Sequence, residues 1–335
     1  MAYTTIDDPE AYFQVKLYTG DASATAHTLD GDTDLQPDLA WFKCRTRTEN
    51  HRLVDALRGT NSLKPNSDVA EVDSSGDGFT SLNSDGFTLN GSGGGGEFNA
   101  SSQNYVAFCW KESATAGFDI VSYTGNATAR TISHNLSAVP HTMWCKERSA
   151  NAPFGNQAWS IYHKDITANK YMVFNATQAE ADDAADFNDT DPTSSVFSVG
   201  NGNRTNASSG SQIAYVFAPI QGFSKFGTYT GNGNADGPMI VTGMRISMLI
   251  IKDTGASVGW GMYDNKRNGY NQDNKTLYVQ SDSGEDAGGY VDLMSNGFKI
   301  TSSSAWQNRS GGKFIYWAWA EAPFVNSKGV PCTAR

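Results

Sequence analysis

The chain is short of charge, of paired cysteines and of long apolar runs, and each shortage narrows what it can be. Charged residues fill only 18% of its 335 positions. Of the four cysteines (Cys44, Cys109, Cys145 and Cys332) no two stand in a CxxC spacing, which leaves no redox or zinc-type pair. The first three sit in apolar, strand-like runs and read as buried free thiols, which pack as small apolar residues. No stretch approaches the roughly 20 apolar residues of a membrane-spanning helix. The opening MAYTTIDDPEAYF has neither the basic stretch nor the apolar core of a secretion signal. Against 35 acidic residues there are 25 lysines and arginines, a formal net charge of −10 with no basic cluster. That balance argues against a nucleic-acid partner, which needs a basic stripe to displace counterions, and against adsorption to an anionic membrane.

What is abundant points to β structure. Aromatics reach 12% and glycines number 34, a profile of a folded, loop-rich β protein. The last long apolar run, FIYWAWAEAPF (314–324), has earlier counterparts in YVAFCW (105–110) and IAYVFA (213–218). In each, residues of both side-chain parities are apolar, which predicts a strand covered on both faces. Other landmarks recur in the same order. FQVKLYTG (13–20), FDIVSYTG (118–125) and FGTYTGNG (226–233) open three units, with Tyr18, Tyr123 and Tyr229 standing 105 and 106 residues apart. Lys43, Lys146 and Lys252 are 103 and 106 apart, and Phe87, Phe197 and Phe298 are 110 and 101 apart. Pro37 and Pro140 stand six residues before the first two lysines, where the third unit has Ile246.

Each unit of about 105 residues holds six or seven short strand patterns. That suits one antiparallel β-sandwich per unit. The expected fold is therefore all-β, three tandem antiparallel sandwiches of jelly-roll or lectin-like type, spanning 1–112, 113–222 and 223–335 with a short tail. Links such as Lys111 to Gly117 are short, so the sandwiches should pack together; separate bodies and one pseudo-threefold body both remain open. The segment 49–59 fits a short helix or a strand, and the glycine run from Gly91 to Gly96 reads as an exposed loop tip.

Motifs that could carry chemistry are sparse. The histidines (His27, His51, His134, His141 and His163) are scattered, with no GxSxG and no zinc spacing. His51 and His163 fall in equivalent regions and read as partly exposed imidazoles. No strand carries the paired carboxyls of a glycanase; the acids gather in loops, as Asp182, Asp183 and Asp186, then Asp282, Glu285 and Asp286. Asp30, Asp32 and Asp34, like Asp189 and Asp191, alternate as calcium ligands can but lack EF-hand spacing, and read as solvated turn acids. Glu71, Glu180 and Glu285 recur once per unit; Thr177 with Glu180 has capping-box spacing, which predicts a cap. No metal or cofactor is expected. Sugar binding has some support from loops rich in Asn, Ser and Gly, with Trp260, Tyr270 and Trp306 near their edges as ring-stacking candidates; against that, Trp260 aligns with Trp159, which suggests a core or strand-edge position.

YTGNGNADGP (229–238), the strand ending in Lys252, WGMYDNKR (260–267), LMSNGFKI (293–300) and SGGKFIYWAWAEAPF (310–324) resemble a repeated domain in structural proteins of tailed bacteriophages, particularly marine and cyanobacterial ones. The two earlier units look like more diverged members, so the resemblance covers about residues 11–325. It brings no catalytic residues and implies a virion location. The expectation is a non-enzymatic virion protein made in the host cytoplasm. It would serve in the tail or tail fibre, with other virion proteins and copies of itself (a trimer fits) as partners and a host-surface glycan as ligand. A capsid decoration protein clamping neighbouring subunits is the alternative, and a carbohydrate-active enzyme a more distant one.

Overall fold

The computed structural model describes residues 3–91, 96–149, 155–271 and 273–333, and its regular structure is almost entirely antiparallel β. The N-terminal segment contains β1 (Phe13–Thr19), β2 (Thr25–His27), β3 (Leu39–Cys44), β4 (Arg52–Asp55), β5 (Asn61–Leu63), β6 (Val72–Asp73), β7 (Phe79–Asn83), β8 (Gly86–Leu89) and β9 (Asn104–Trp110). In the middle segment follow β10 (Phe118–Thr124), β11 (Arg130–Ser133), β12 (Thr142–Glu147), β13 (Ser160–His163), β14 (Lys170–Tyr171), β15 (Ala181–Asp182), β16 (Val196–Val199) and β17 (Ser211–Phe217). The C-terminal segment supplies β18 (Ser224–Thr230), β19 (Met239–Val241), β20 (Met244–Asp253), β21 (Gly261–Asp264), β22 (Asp273–Tyr278), β23 (Asp286–Met294), β24 (Gly297–Ile300) and β25 (Lys313–Pro323). Helices are single turns: α1 (Ala184–Phe187), α2 (Asn203–Asn206) and α3 (Ala305–Asn308).

The larger sheets run β1-β9-β3-β4-β5-β6, β10-β17-β12-β13 and β18-β25-β20-β21-β22-β23-β24-β19, beside smaller ones of β2-β8-β7, β11-β16 and β14-β15. In every segment the last long strand pairs with the first, which explains why YVAFCW, IAYVFA and FIYWAWA lie at the segments' ends: each is laid between two partners. Segment 49–59 resolves as strand β4 and a turn. The entry to β20 differs from its counterparts, as Ile246 in place of proline suggests. β20 has ten residues where β3 and β12 have six, and its pairing with β25 shifts register between Arg245 and Met248. Of the glycine run 91–96, residues 92–95 lie outside the described residues.

Both parities of the long strands are buried because they face two different cores. On β9, Tyr105, Ala107 and Cys109 join Phe42, Phe79, Phe87 and Phe98 inside the N-terminal segment, while Val106, Phe108 and Trp110 face a second cluster. β17 divides the same way, with Ala214 and Val216 inward to its own segment and Ile213, Tyr215 and Phe217 outward to the shared cluster. That shared cluster joins all three segments. The Trp144 ring lies 4.7 to 6.4 Å, centroid to centroid, from Trp41, Trp110, Phe174, Tyr215, Phe217, Trp317 and Trp319. Truncating one such ring costs about 3–5 kcal/mol, so the segments share a large part of their stability. Trp144 and Trp317 leave Nε1 without a hydrogen-bond partner, a cost of about 1–3 kcal/mol each that their aromatic burial offsets.

The Tyr-Thr-Gly motif has a local cause. The hydroxyls of Tyr18, Tyr123 and Tyr229 donate to the carbonyls of Phe98, Thr205 and Gln307 at 2.7, 2.6 and 2.6 Å. The next residue in each case is an asparagine, Asn99, Asn206 or Asn308, whose amide bonds the loop after the motif. The motif glycines Gly20, Gly125 and Gly231 press against the carbonyls of Ala100, Ala207 and Arg309, where a Cβ would come within 2.0 to 2.4 Å. Any side chain there would push the opening strand off its loop.

Candidate functional site

The recurring lysines sit where segments meet. Lys43, Lys146 and Lys252 are fully buried. Lys43 Nζ donates to the carbonyls of Cys44, Glu49 and Asp282, at 2.9, 2.9 and 3.1 Å, the last from the C-terminal segment. Lys146 Nζ reaches Glu147 and, across the junction with the N-terminal segment, Asp68 at 3.0 Å; Lys252 Nζ donates to Asp253 and Ala256. Burial disfavours the charged form and pushes each ammonium down to about 8.

The recurring glutamates are the other half of these junctions, not caps. Glu71 N–H donates to Arg148 O, Glu180 N–H to Thr254 O and Glu285 N–H to Arg45 O, at 2.8 to 2.9 Å. Those bonds run from N-terminal to middle, middle to C-terminal and C-terminal back to N-terminal segment, closing a ring. The Glu71 carboxylate pairs with Arg148 at 2.6 Å and Glu285 with Arg45 at 2.9 Å, both across junctions, while Glu180 takes Lys170 of its own segment. No helix starts at Thr177; Glu180 leads into β15, and α1 is capped by Asp183. The capping-box spacing was fortuitous.

The histidine expectation also fails. His51 and His163 are fully buried. His51 accepts from Trp41 Nε1 through Nδ1 at 2.9 Å, and its Nε2 lies 3.1 Å from the carbonyls of Tyr278 and Ser281 in the C-terminal segment. Burial drives its pKa well below that of a free imidazole and takes His163 down to about 3. At the places equivalent to His51 stand Trp159 and Trp260, whose indoles donate across junctions to Lys64 O and Val173 O, both at 2.9 Å.

Trp260 is therefore no sugar platform: it is fully buried and stacks on Trp317 at 5.1 Å. Tyr270 and Trp306 are 85% and 39% exposed. They flank opposite ends of β21, Trp306 packing over Gly259 before the strand and Tyr270 following the turn after it. Trp306 has a rigid mount. It is held on α3 by Ser304, which caps the helix, and by the buried Gln307 and Asn308, and its ring meets Tyr278 at 5.1 Å. Tyr278 in turn bonds Asp286 at 3.4 Å. Trp306, Tyr278 and Asp286 thus form a small surface with one aromatic face and a carboxylate beside it, which could stack on and hydrogen-bond a sugar.

The loop acids divide by burial. Asp186 is buried and accepts from Ser160 Oγ and Arg204 Nε, at 2.6 and 2.9 Å, so it is a fixture of the middle segment. Asp30 pairs with Lys16 at 2.5 Å, while Asp32 and Asp34 are exposed. Among the described residues no three His, Cys, Asp or Glu side chains are grouped to hold a metal ion. Cys44, Cys109 and Cys145 are buried free thiols, as their apolar neighbours indicated, and Cys332 is half-buried. No helix among the described residues is long and apolar enough to cross a membrane.

A separate concavity of about 820 Å³ opens at the junction of the middle and C-terminal segments. Its walls are Ser224–Thr228 of β18 and Ile240–Gly243 at β19, with His141, Lys164 and Asp165 from the middle segment and Tyr316 among the remaining lining. β18 and β19 are the two outer strands of the eight-stranded sheet, so this sheet curls until its edges face one another across a gap.

No curated protein and no solved structure matches the chain. A family model described as a domain of unknown function, DUF7483, matches residues 8–323, and the chain belongs to that family.

Proposed function

We propose that the chain is a non-enzymatic structural protein of a tailed-phage virion, a component of the tail or tail fibre that touches host-surface glycan. In this proposal it is built of three β-sandwich repeats of about 105 residues, at 1–112, 113–222 and 223–335. The observation that carries the structural role is the fate of the reactive side chains. Lys43 and Lys146 with their lowered pKa, the buried His51, and the carboxylates of Glu71 and Glu285 are spent on joining segments. Groups so enclosed hold a body together and cannot reach a substrate. The resemblance to repeated phage structural domains supplies the virion location, and the Trp306 surface supplies a place for a sugar ring.

Light scattering on the purified protein, with binding to host cells and to empty capsids measured on the same sample, tests this. A homo-oligomer such as a trimer that binds cells and ignores capsids is the expected result. Stoichiometric capsid binding without cell binding would replace the proposal with a decoration protein that clamps capsid subunits. Depolymerisation of host polysaccharide by the purified protein would overturn the non-enzymatic assignment.

A further inference from the structure

The gap between β18 and β19 has counterparts that the chain closes for itself. Counting four residues back from the motif tyrosines gives Gln14, Asp119 and Lys225, each on the opening strand of its segment. Gln14 is buried and ties the seam shut: its amide donates to Glu10 O and Thr33 O at 3.0 and 2.9 Å and accepts from Gly31 N–H at 2.8 Å. Asp119, also buried, accepts from Asn135 N–H at 2.6 Å. Beside it the linker residue Glu112 lays its carboxyl along the edge of β10, accepting from Ile120 N–H at 3.1 Å. Burial and the neighbouring Asp119 raise the Glu112 pKa to about 7. In the middle segment an acidic side chain thus occupies the exposed edge of the opening strand.

The C-terminal segment inverts that chemistry. Lys225 donates to Val241 O at 2.8 Å, spanning the gap between the two strand edges. Pro219 stands where the linker carboxylate of Glu112 would be. Lys164 adds to the cationic wall, beside His141, whose imidazole is held toward the neutral form by burial and by the nearby Lys164. Asp165, 2.8 Å from Lys164 Nζ, is the acid among the lining residues. One end is bounded by the N-terminal Tyr3, whose hydroxyl donates to Gly243 O at 3.0 Å. The result is a slot with a strand edge on each long side and ammonium groups at its mouth.

We propose that this slot receives an extended acidic peptide segment from a partner protein, which adds as a strand between β18 and β19 while its carboxylates meet Lys164 and Lys225. Strand addition to free edges gives affinity through main-chain bonds, and alternate side chains supply specificity. Charge complementarity selects the occupant, since the slot wants outside what Glu112 supplies from within in the preceding segment. The proposal is independent of the virion role.

The test uses the full chain with a fluorescein-labelled peptide of alternating glutamate and valine, followed by anisotropy and by hydrogen exchange. Saturable binding is expected, with slowed exchange of amides in 224–230 and 239–241 and none in β1 or β10. The double variant Lys164→Glu, Lys225→Glu should bind about tenfold more weakly or worse; Lys225→Gln, which cannot disturb the fold by charge reversal, should weaken binding to a lesser degree. Absence of binding, or binding unchanged in both variants, overturns the proposal. Tight binding of an oligoglucuronate with no protection of β18 by the peptide would overturn it too, and would make the slot an acidic-sugar site.

Discussion

The N- and C-terminal segments bury an ion pair at the end of β4 and of β21, at a place where the middle segment has a histidine and an isoleucine. Asp55 and Arg58 pair at 2.7 Å after β4, fully enclosed, and Tyr215 of the middle segment donates to Asp55 at 2.6 Å. Asp264 and Arg267 make the same (i, i+3) pair after β21, with no solvent exposure. The equivalent places in the middle segment hold His163, which is neutral at ordinary pH, and the buried Ile166. One backbone arrangement is therefore held by buried charge twice and by neutral packing once. This agrees with the general finding that a buried pair adds little over apolar residues of similar volume, while half a pair is costly. The middle segment leans correspondingly harder on rings, with Trp144 touching seven aromatic side chains.

The largest effect should come from breaking that reliance. Trp144→Ala is expected to cost about 3–5 kcal/mol and to lower the chemical-denaturation midpoint more than Trp41→Ala, whose ring meets fewer aromatic partners; equal losses would remove the asymmetry between segments. Next, Asp55→Ala should cost about 3 kcal/mol or more by stranding Arg58. The double change Asp55→His, Arg58→Ile, which copies the middle segment, should recover most of that loss in thermal melts. A double variant as unstable as the single one would show that the charge pair itself is required.

A smaller effect separates the buried lysines from the buried thiols. Folded Lys43 titrates near 8, pushed down by burial, against ~10.4 when unfolded. Below pH 8 it is charged in both states and the full burial cost applies. Between pH 8 and ~10.4 the folded lysine is neutral while the unfolded one still binds a proton, so stability contributed by this group rises with pH. Burial pushes Cys109 and Cys145 upward and so acts in the opposite direction across the same range. The measurement is accordingly the difference between the native chain and Lys43→Met: native stability should gain on the variant from pH 8 to 10, by an amount on the order of 1–3 kcal/mol. A constant difference would mean the lysine is not desolvated. The smallest effect is Trp306→Ala, which should change stability by under about 1 kcal/mol yet abolish any glycan retention measured by affinity electrophoresis.

Much of this architecture was legible in the order of residues. Two-sided apolar strands, the Tyr-Thr-Gly openings and the once-per-segment lysine and glutamate all mark real structural positions, because strand burial and close backbone approach constrain residue type locally. The use of those positions was less legible. Glu180 resembled a cap since capping boxes and ion pairs employ the same residue types, and only the neighbouring segment's Thr254 carbonyl reveals a junction. Trp260, beside a loop yet aligned with Trp159, fits either a ring-stacking or a core residue in the sequence, and its bond to Val173 O, 87 residues away, reveals the junction.

The order of residues was enough to settle an all-β chain, through strand patterns whose causes lie within a few residues. The tertiary structure alone decided that the outward faces of those strands share one aromatic core, that the recurrent charges close a ring between segments, and that one seam of three stays open. Each of these depends on which surfaces meet, and contact between residues far apart in the chain leaves no local spacing to read.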